Sequence, residues 1–135
     1  MTTEPIIKIL LIDDNRFFME ALSYIIEANK QLKVIGIANT GKEALKKMEE
    51  THPDIVIIDV VLPDINGIRL AKEIFQRRKD LQIIVLSIYK DPEFIKAAQK
   101  VGVFAYLFKD EPVDIINRTI LEACRALKNQ PVPKT

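Results

Sequence analysis

The chain is poor in glycine, cysteine and histidine, with four, one and one among 135 residues, and each scarcity removes a class of function. The glycines form neither a Gly-x-Gly-x-x-Gly nor a P-loop pattern, so a nucleotide-binding module has no cradle for its phosphates. With Cys124 alone, no internal disulfide can form. It falls on the helical stripe Ile116, Ile120, Cys124, Leu127, which reads as core packing. His52 stands beside Pro53 in a turn and has no second histidine to share a metal. No apolar run approaches the roughly 20 residues that span a bilayer. The start, Met-Thr-Thr-Glu-Pro, carries no basic flank, and a cytoplasmic location is expected. Net charge is only +1, so nothing draws the whole chain to nucleic acid or acidic membranes.

What is present suits one soluble domain: 48% hydrophobic and 29% charged residues, no internal repeat and no low-complexity segment. Apolar runs at 6–12, 55–58, 83–86 and 103–108 read as buried parallel strands, and a less apolar run at Leu32 to Ala38 reads as an edge. Helical patterns alternate with them. The first covers Arg16 to about Ala28, with Asp14 or Asn15 as its cap, and a second opens at Thr40 and Gly41. A loop fixed by Pro63 and Gly67 precedes a third helix running to about Lys79. Asp91 with Pro92, and then Pro112, start two more. Five βα units imply a doubly wound parallel sheet. The folded domain is expected over 1–128, with the two-proline segment 129–135 as a tail or the start of a linker.

Five side chains, Asp13, Asp14, Asp59, Ser87 and Lys109, fall at or just past the carboxyl ends of these runs. In an open α/β sheet that edge is where ligands bind, so the five are expected to meet. Clustered carboxylates repel unless a cation neutralises them. Mg²⁺ suits the set, because it takes oxygen ligands and is held by one or two carboxylates plus phosphate oxygens. Asp14 and Asp59 can coordinate it directly and Asp13 through water, with a backbone carbonyl just past Asp59, at Val61, completing the protein's share. A carboxylate placed there can also attack phosphorus and form an aspartyl phosphate. Lys109 then pairs with a phosphoryl oxygen and Ser87 donates to another. Any one of these residues alone is more simply a cap or a solvated charge. One at each expected strand end is harder to explain that way.

Leu-Leu-Ile-Asp-Asp (10–14), Asp-Val-Val-Leu-Pro-Asp-Ile-Asn-Gly (59–67), Leu-Ser (86–87) and Tyr-Leu-Phe-Lys (106–109) resemble the receiver domain of two-component response regulators, over nearly the whole chain and in order. The resemblance implies a flavodoxin-like (βα)5 sheet of order 2-1-3-4-5. It implies Mg²⁺-dependent phosphorylation of Asp59 by a sensor histidine kinase or a small acyl phosphate, with Asp13 and Asp14 as the acid pair. It makes Ser87 and Tyr106 the switch residues and Lys109 the lysine that senses the phosphoryl group. Such a protein catalyses only its own phosphotransfer and slow self-dephosphorylation. Asp110 after Lys109, where many members have proline, resembles the NarL/LuxR-type subfamily. Its members usually carry a separate carboxy-terminal helix-turn-helix domain through which DNA would be reached, and a homodimer on phosphorylation is expected for this chain. A free-standing receiver is the alternative. A small Mg²⁺-dependent phosphohydrolase is another, although those enzymes resemble Asp-x-Asp with the nucleophile on the first strand.

Two further features stand out. Val61 and Tyr89 lie two places past Asp59 and Ser87, where the resemblance implies the path of the hydrolytic water. On the first helix the stripe Phe17, Ala21, Tyr24, Ala28 runs beside Phe18, Leu22, Ile25. Either the core face is wide, or the outer stripe is a kinase-docking or self-association surface.

Overall fold

The computed structural model describes residues 5–128. The segment 129–135, expected to be a tail or linker, lies outside the described residues. Five strands, β1 (Ile7–Ile12), β2 (Leu32–Ala38), β3 (Ile55–Ile58), β4 (Gln82–Ser87) and β5 (Ala105–Phe108), alternate with five helices, α1 (Arg16–Glu27), α2 (Gly41–Thr51), α3 (Gly67–Arg77), α4 (Pro92–Val101) and α5 (Val113–Lys128). The strands pair in parallel in the order β2-β1-β3-β4-β5. This is the expected flavodoxin-like order.

Why the central strands are apolar throughout follows from their two covered faces. Ile7, Ile9 and Leu11 of β1, with Ile55 and Ile57 of β3 and Ile84 and Leu86 of β4, pack against Met19, Leu22 and Ile26 of α1 and Ile116, Ile120 and Cys124 of α5. The alternate residues, Leu10, Ile12, Val56, Ile58, Ile83 and Val85, meet α2, α3 and α4 through Ala44, Met48, Leu70, Ile74 and Ala98. Period two along each strand splits one run into two cores. Burying each large side chain contributes about 1.5–3 kcal/mol, so the central strands dominate stability.

Two local expectations are corrected, and a third is met. Strand β5 begins at Ala105 rather than Val103, and its residues are half-buried, because it is the outer strand beyond β4. Helix α3 ends at Arg77, short of Lys79. Arg78 turns extended and its guanidinium pairs with Asp80 at 2.7 Å, pulling that carboxyl below its ordinary range. Asp91 occupies the N-cap of α4, yet its side chain makes no cap bond; its carbonyl accepts from Phe94 and Ile95 instead. Of the two candidates for capping α1, Asn15 does so by accepting from Phe18 N–H.

Candidate functional site

Each site residue leaves its strand at the same edge of the sheet. The ladder continues just past the strand ends: Asp13 N–H donates to Ala38 at 2.9 Å, Asp59 N–H to Ile12 at 3.0 Å and Lys109 N–H to Ser87 at 2.9 Å. Main chains held this way give the side chains little freedom. Asp13, Asp14 and Asp59 each bring a carboxylate oxygen within 4.8 Å of the other two. Asp13 and Asp59 are buried, while Asp14 opens to solvent.

One ammonium faces this group. Lys109 Nζ lies 2.6 Å from Asp13 Oδ2 and 3.4 Å from Asp59 Oδ2. The first contact is an ion pair off the hydrogen-bonding direction. The same ammonium lies over the Phe18 ring, with Nζ 4.7 Å from the ring centre. A single positive charge cannot neutralise three acids. Burial pushes the Asp13 carboxyl above its ordinary range, against the opposing Lys109 and Asn15 contacts, and the charge of Asp59 adds to the rise. Asp59 Oδ1 is buried without a hydrogen-bond partner. An unpaired buried carboxylate oxygen is costly, and a hard cation is the ligand that would satisfy it. The donor set therefore fits Mg²⁺. Val61, the remaining expected ligand, forms a short antiparallel bridge with Asn66 and exposes its side chain.

Ser87 and Tyr106 are linked through Tyr89, a connection that no sequence pattern signals. Ser87 is fully buried, and its Oγ accepts from Tyr89 N–H at 3.2 Å. The Tyr106 hydroxyl donates to the Tyr89 carbonyl at 2.7 Å, and burial pushes its pKa up. Tyr89 thus ties Ser87 to Tyr106 through its own backbone, while its ring meets Phe94 edge-on at 6.1 Å. Next to it, Lys90 bonds Asp110 at 2.9 Å and lies 5.0 Å from the Phe108 ring centre. That contact holds the Asp110 carboxyl below its usual range.

Asp64 is a second residue that no local sequence pattern marks. Its carboxylate accepts from Gly41 N–H at 2.8 Å and Lys42 N–H at 3.0 Å, fastening the loop after Asp59 to the start of α2. These bonds lower its pKa. An acidic group at a helix N-terminus is ordinary, but here the partners are far away in sequence, so no local pattern signals it.

On α1 the wide-core reading fails. Met19, Leu22 and Ile26 make the core face, and the outer stripe leaves Phe17 and Tyr24 at 89% and 84% exposure.

The carboxylate cluster makes a prediction about metal and stability. Because ionised Asp13 costs more than its contacts return, Asp13→Asn should stabilise the protein in chelator. Saturating Mg²⁺ should raise the melting temperature of the parent, by about 2.7 kcal/mol of stability at a hundredfold excess over Kd. Asp13→Asn should gain much less. Equal gains in thermal melts would remove Asp13 from the metal site.

Parallel strands with helices on both faces, and acids facing a lysine across the strand ends, define a doubly wound α/β domain whose acidic pocket fits a divalent cation. The chain belongs to the response regulator receiver domain family, whose model matches residues 9–120. It is 37% identical over 110 residues to the transcriptional regulatory protein YhcZ of Bacillus subtilis, covering 81% of this chain and 51% of that protein. It is 33% identical over 104 residues to the DNA-binding transcriptional activator DevR/DosR of Mycobacterium tuberculosis, covering 77% and 48%. The chain spans about half the length of the curated relatives it matches. Among solved structures, a LuxR-family two-component response regulator from Aurantimonas superposes with a TM-score of 0.85 at 26% identity, covering 90% of this chain and 86% of that one. The receiver domain of the response regulator NarL from M. tuberculosis matches in fold, with a TM-score of 0.84 at 20% identity, covering 94% and 100%.

Proposed function

We propose that Asp59 accepts a phosphoryl group from a sensor histidine kinase, or from a small acyl phosphate, and that the modified domain drives an output which controls transcription through a separate DNA-binding domain. The observation that carries this reading is the buried, unpartnered Oδ1 of Asp59 beside two further acids and one ammonium. Asp59 attacks phosphorus; the bond to the donor's imidazole or acyl oxygen breaks, and the electron pair leaves with the donor. An ionised carboxylate needs no general base, and positioning and charge neutralisation supply the rest. Asp13, Asp14 and Asp59, with the Val61 carbonyl, would hold a Mg²⁺ ion, which would supply charge neutralisation for the phosphoryl oxygens. Lys109 exchanges its contact with Asp59 for one phosphoryl oxygen, and Ser87 donates to another. Movement of Ser87 toward the phosphoryl group pulls on Tyr89 through the bond its Oγ accepts from Tyr89 N–H, and Tyr89 in turn holds Tyr106 through its carbonyl. A cytoplasmic location and homodimer formation on phosphorylation belong to the same reading.

Intact-mass spectrometry tests it. Acetyl or carbamoyl phosphate should add one phosphoryl group only with Mg²⁺ or Mn²⁺, and chelator or Asp59→Asn should abolish the addition. Acid-labile phosphate retained in full by Asp59→Asn would sink the assignment. Catalytic turnover of a phosphate ester would instead favour a phosphohydrolase.

The lifetime of the phosphorylated state is expected to be long. Val61 is apolar and Tyr89 bulky, both at the exposed mouth of the site, and an attacking water must reach the phosphorus in line. Val61→Asn combined with Tyr89→His should accelerate decay about tenfold, equivalent to about 1.4 kcal/mol of barrier. The decay rate after removal of the phosphodonor is the measurement, and an unchanged rate would show that water access at these positions does not control lifetime.

A further inference from the structure

The loop between Asp59 and α3 closes on itself and is anchored from outside by Asp64. Val61 bridges Asn66, and Gly67 N–H donates to the Val60 carbonyl at 2.6 Å, so the two ends of the loop are tied together. Leu62 and Ile65 pack into the core beside it, but apolar contacts are non-directional and let a main chain slide. Asp64 supplies directed bonds, accepting from Gly41 N–H and Lys42 N–H, residues 23 and 22 positions away.

Helix α2 already has a cap of its own. Thr40 Oγ1 accepts from Glu43 N–H at 3.1 Å, and a Glu43 carboxylate oxygen accepts from Asn39 N–H at 3.3 Å. Asp64 takes the two amides that this cap leaves over, which turns the free amides of one helix start into a mount for a loop distant in sequence. The approach is close. A Cβ on Gly41 would fall 3.5 Å from both carboxylate oxygens of Asp64 and 2.4 Å from Ile65 Cγ2, so the loop lies directly on the first residue of the helix.

What this mount controls is the height of the Val61 carbonyl, three residues before Asp64. The carboxylates of Asp13, Asp14 and Asp59 can turn about their side-chain bonds to suit an ion, whereas a carbonyl moves only with its loop. Mg²⁺ demands near-ideal octahedral geometry at about 2.0–2.1 Å; Ca²⁺ accepts flexible arrangements at about 2.3–2.6 Å. A carbonyl held in place therefore serves Mg²⁺ and matters little to Ca²⁺. We propose that Asp64 is a positioning residue of the cation site: by fastening the loop to α2 it fixes the Val61 carbonyl and so sets the preference for Mg²⁺ over Ca²⁺. The proposal rests on the Mg²⁺ site described above and adds to it a source of selectivity outside the ligands themselves.

Amide NMR titrations of the 135-residue protein with MgCl2 and with CaCl2 test it. Asp64→Ala should raise Kd for Mg²⁺ about tenfold, the scale typical when a group that orients a metal ligand is removed, and Kd for Ca²⁺ about twofold at most. Asp64→Asn, which keeps an acceptor, should fall between. In metal-free protein, hydrogen exchange at the Gly41 and Lys42 amides should quicken in Asp64→Ala. Thr40→Ala loosens the same helix start without touching either Asp64 bond, and should leave both affinities within about twofold of the parent. An unchanged Mg²⁺ affinity in Asp64→Ala would overturn the proposal. So would equal losses for Mg²⁺ and Ca²⁺, or the same loss in Thr40→Ala, since Asp64 would then be only a structural tie. Those three results leave the cation site standing, whereas a parent that binds no Mg²⁺ removes the site and the proposal together.

Discussion

Gly67→Ala should destabilise the protein by about 3 kcal/mol or more and slow phosphoryl uptake at the same time. A Cβ at this position would lie 1.8 Å from the carbonyl oxygen of Asp59, 2.8 Å from its carbon and 3.0 Å from Cα of Val60. All three obstacles are backbone, and Gly67 N–H is already drawn to the Val60 carbonyl at 2.6 Å. Relief must come from moving the segment that carries Asp59. Gly102 makes the comparison sharp. It closes α4 at φ 97° with open space around it, so alanine there meets only the left-handed backbone penalty of about 1–2 kcal/mol. Gly41 is intermediate: its Cβ would meet the Ile65 side chain at 2.4 Å, and a side chain can turn away. Urea midpoints of the three variants should fall in the order Gly67, Gly41, Gly102, with Gly67 the worst. If Gly67→Ala costs no more than Gly102→Ala, the loop does not pass against Asp59 as described.

Lys109→Ala should separate stability from switching. Removing the ammonium leaves Asp13 and Asp59 facing each other with no positive partner, and breaking a buried pair typically costs about 3–5 kcal/mol. Because Lys109 is 10% exposed and Asp14 opens to water, the lower end of that range, about 3 kcal/mol in chelator, is expected. Mg²⁺ should restore much of this loss, since a cation answers the same repulsion. It should restore nothing in Gly67→Ala, where the fault is steric. The Lys109 variant should still fail to switch: NMR signals of Tyr106 should stay in place when beryllofluoride, a phosphoryl mimic, is added. A Tyr106 shift equal to that of the parent would exclude Lys109 from the coupling.

The legibility of this domain differs from element to element for identifiable reasons. The central strands were readable because coverage on two faces demands uninterrupted apolar residues, and Ile55–Ile58 has no other explanation. Asp13, Asp59 and Lys109 were readable because the end of a parallel strand places whatever follows it at one edge. Strand β5 was overextended because the apolar residues Val103 and Phe104 look alike whether they lie in a ladder or approach it. The end of α3 is hard to place from the sequence because Arg78 leaves the helix and pairs with Asp80 two residues on. The outer stripe of α1 could not be assigned to core or surface from spacing alone, since both stripes have helical period.

Local chemistry along the chain determined the alternation of five strands and five helices, the two cores divided by period-two patterning and the set of strand-end residues. These depend on rules that act within a few residues, and so they can be read in order. Only the tertiary structure decided that Tyr89 ties Ser87 to Tyr106, that Asp64 reaches Gly41 and Lys42, and that Phe17 and Tyr24 face solvent. It also decided that Asp59 Oδ1 is left unpartnered while Asp13 takes the closer contact with Lys109. Those outcomes turn on distances between groups brought together by packing, where an ångström separates an ion pair from an orphaned oxygen and no spacing in the chain records it.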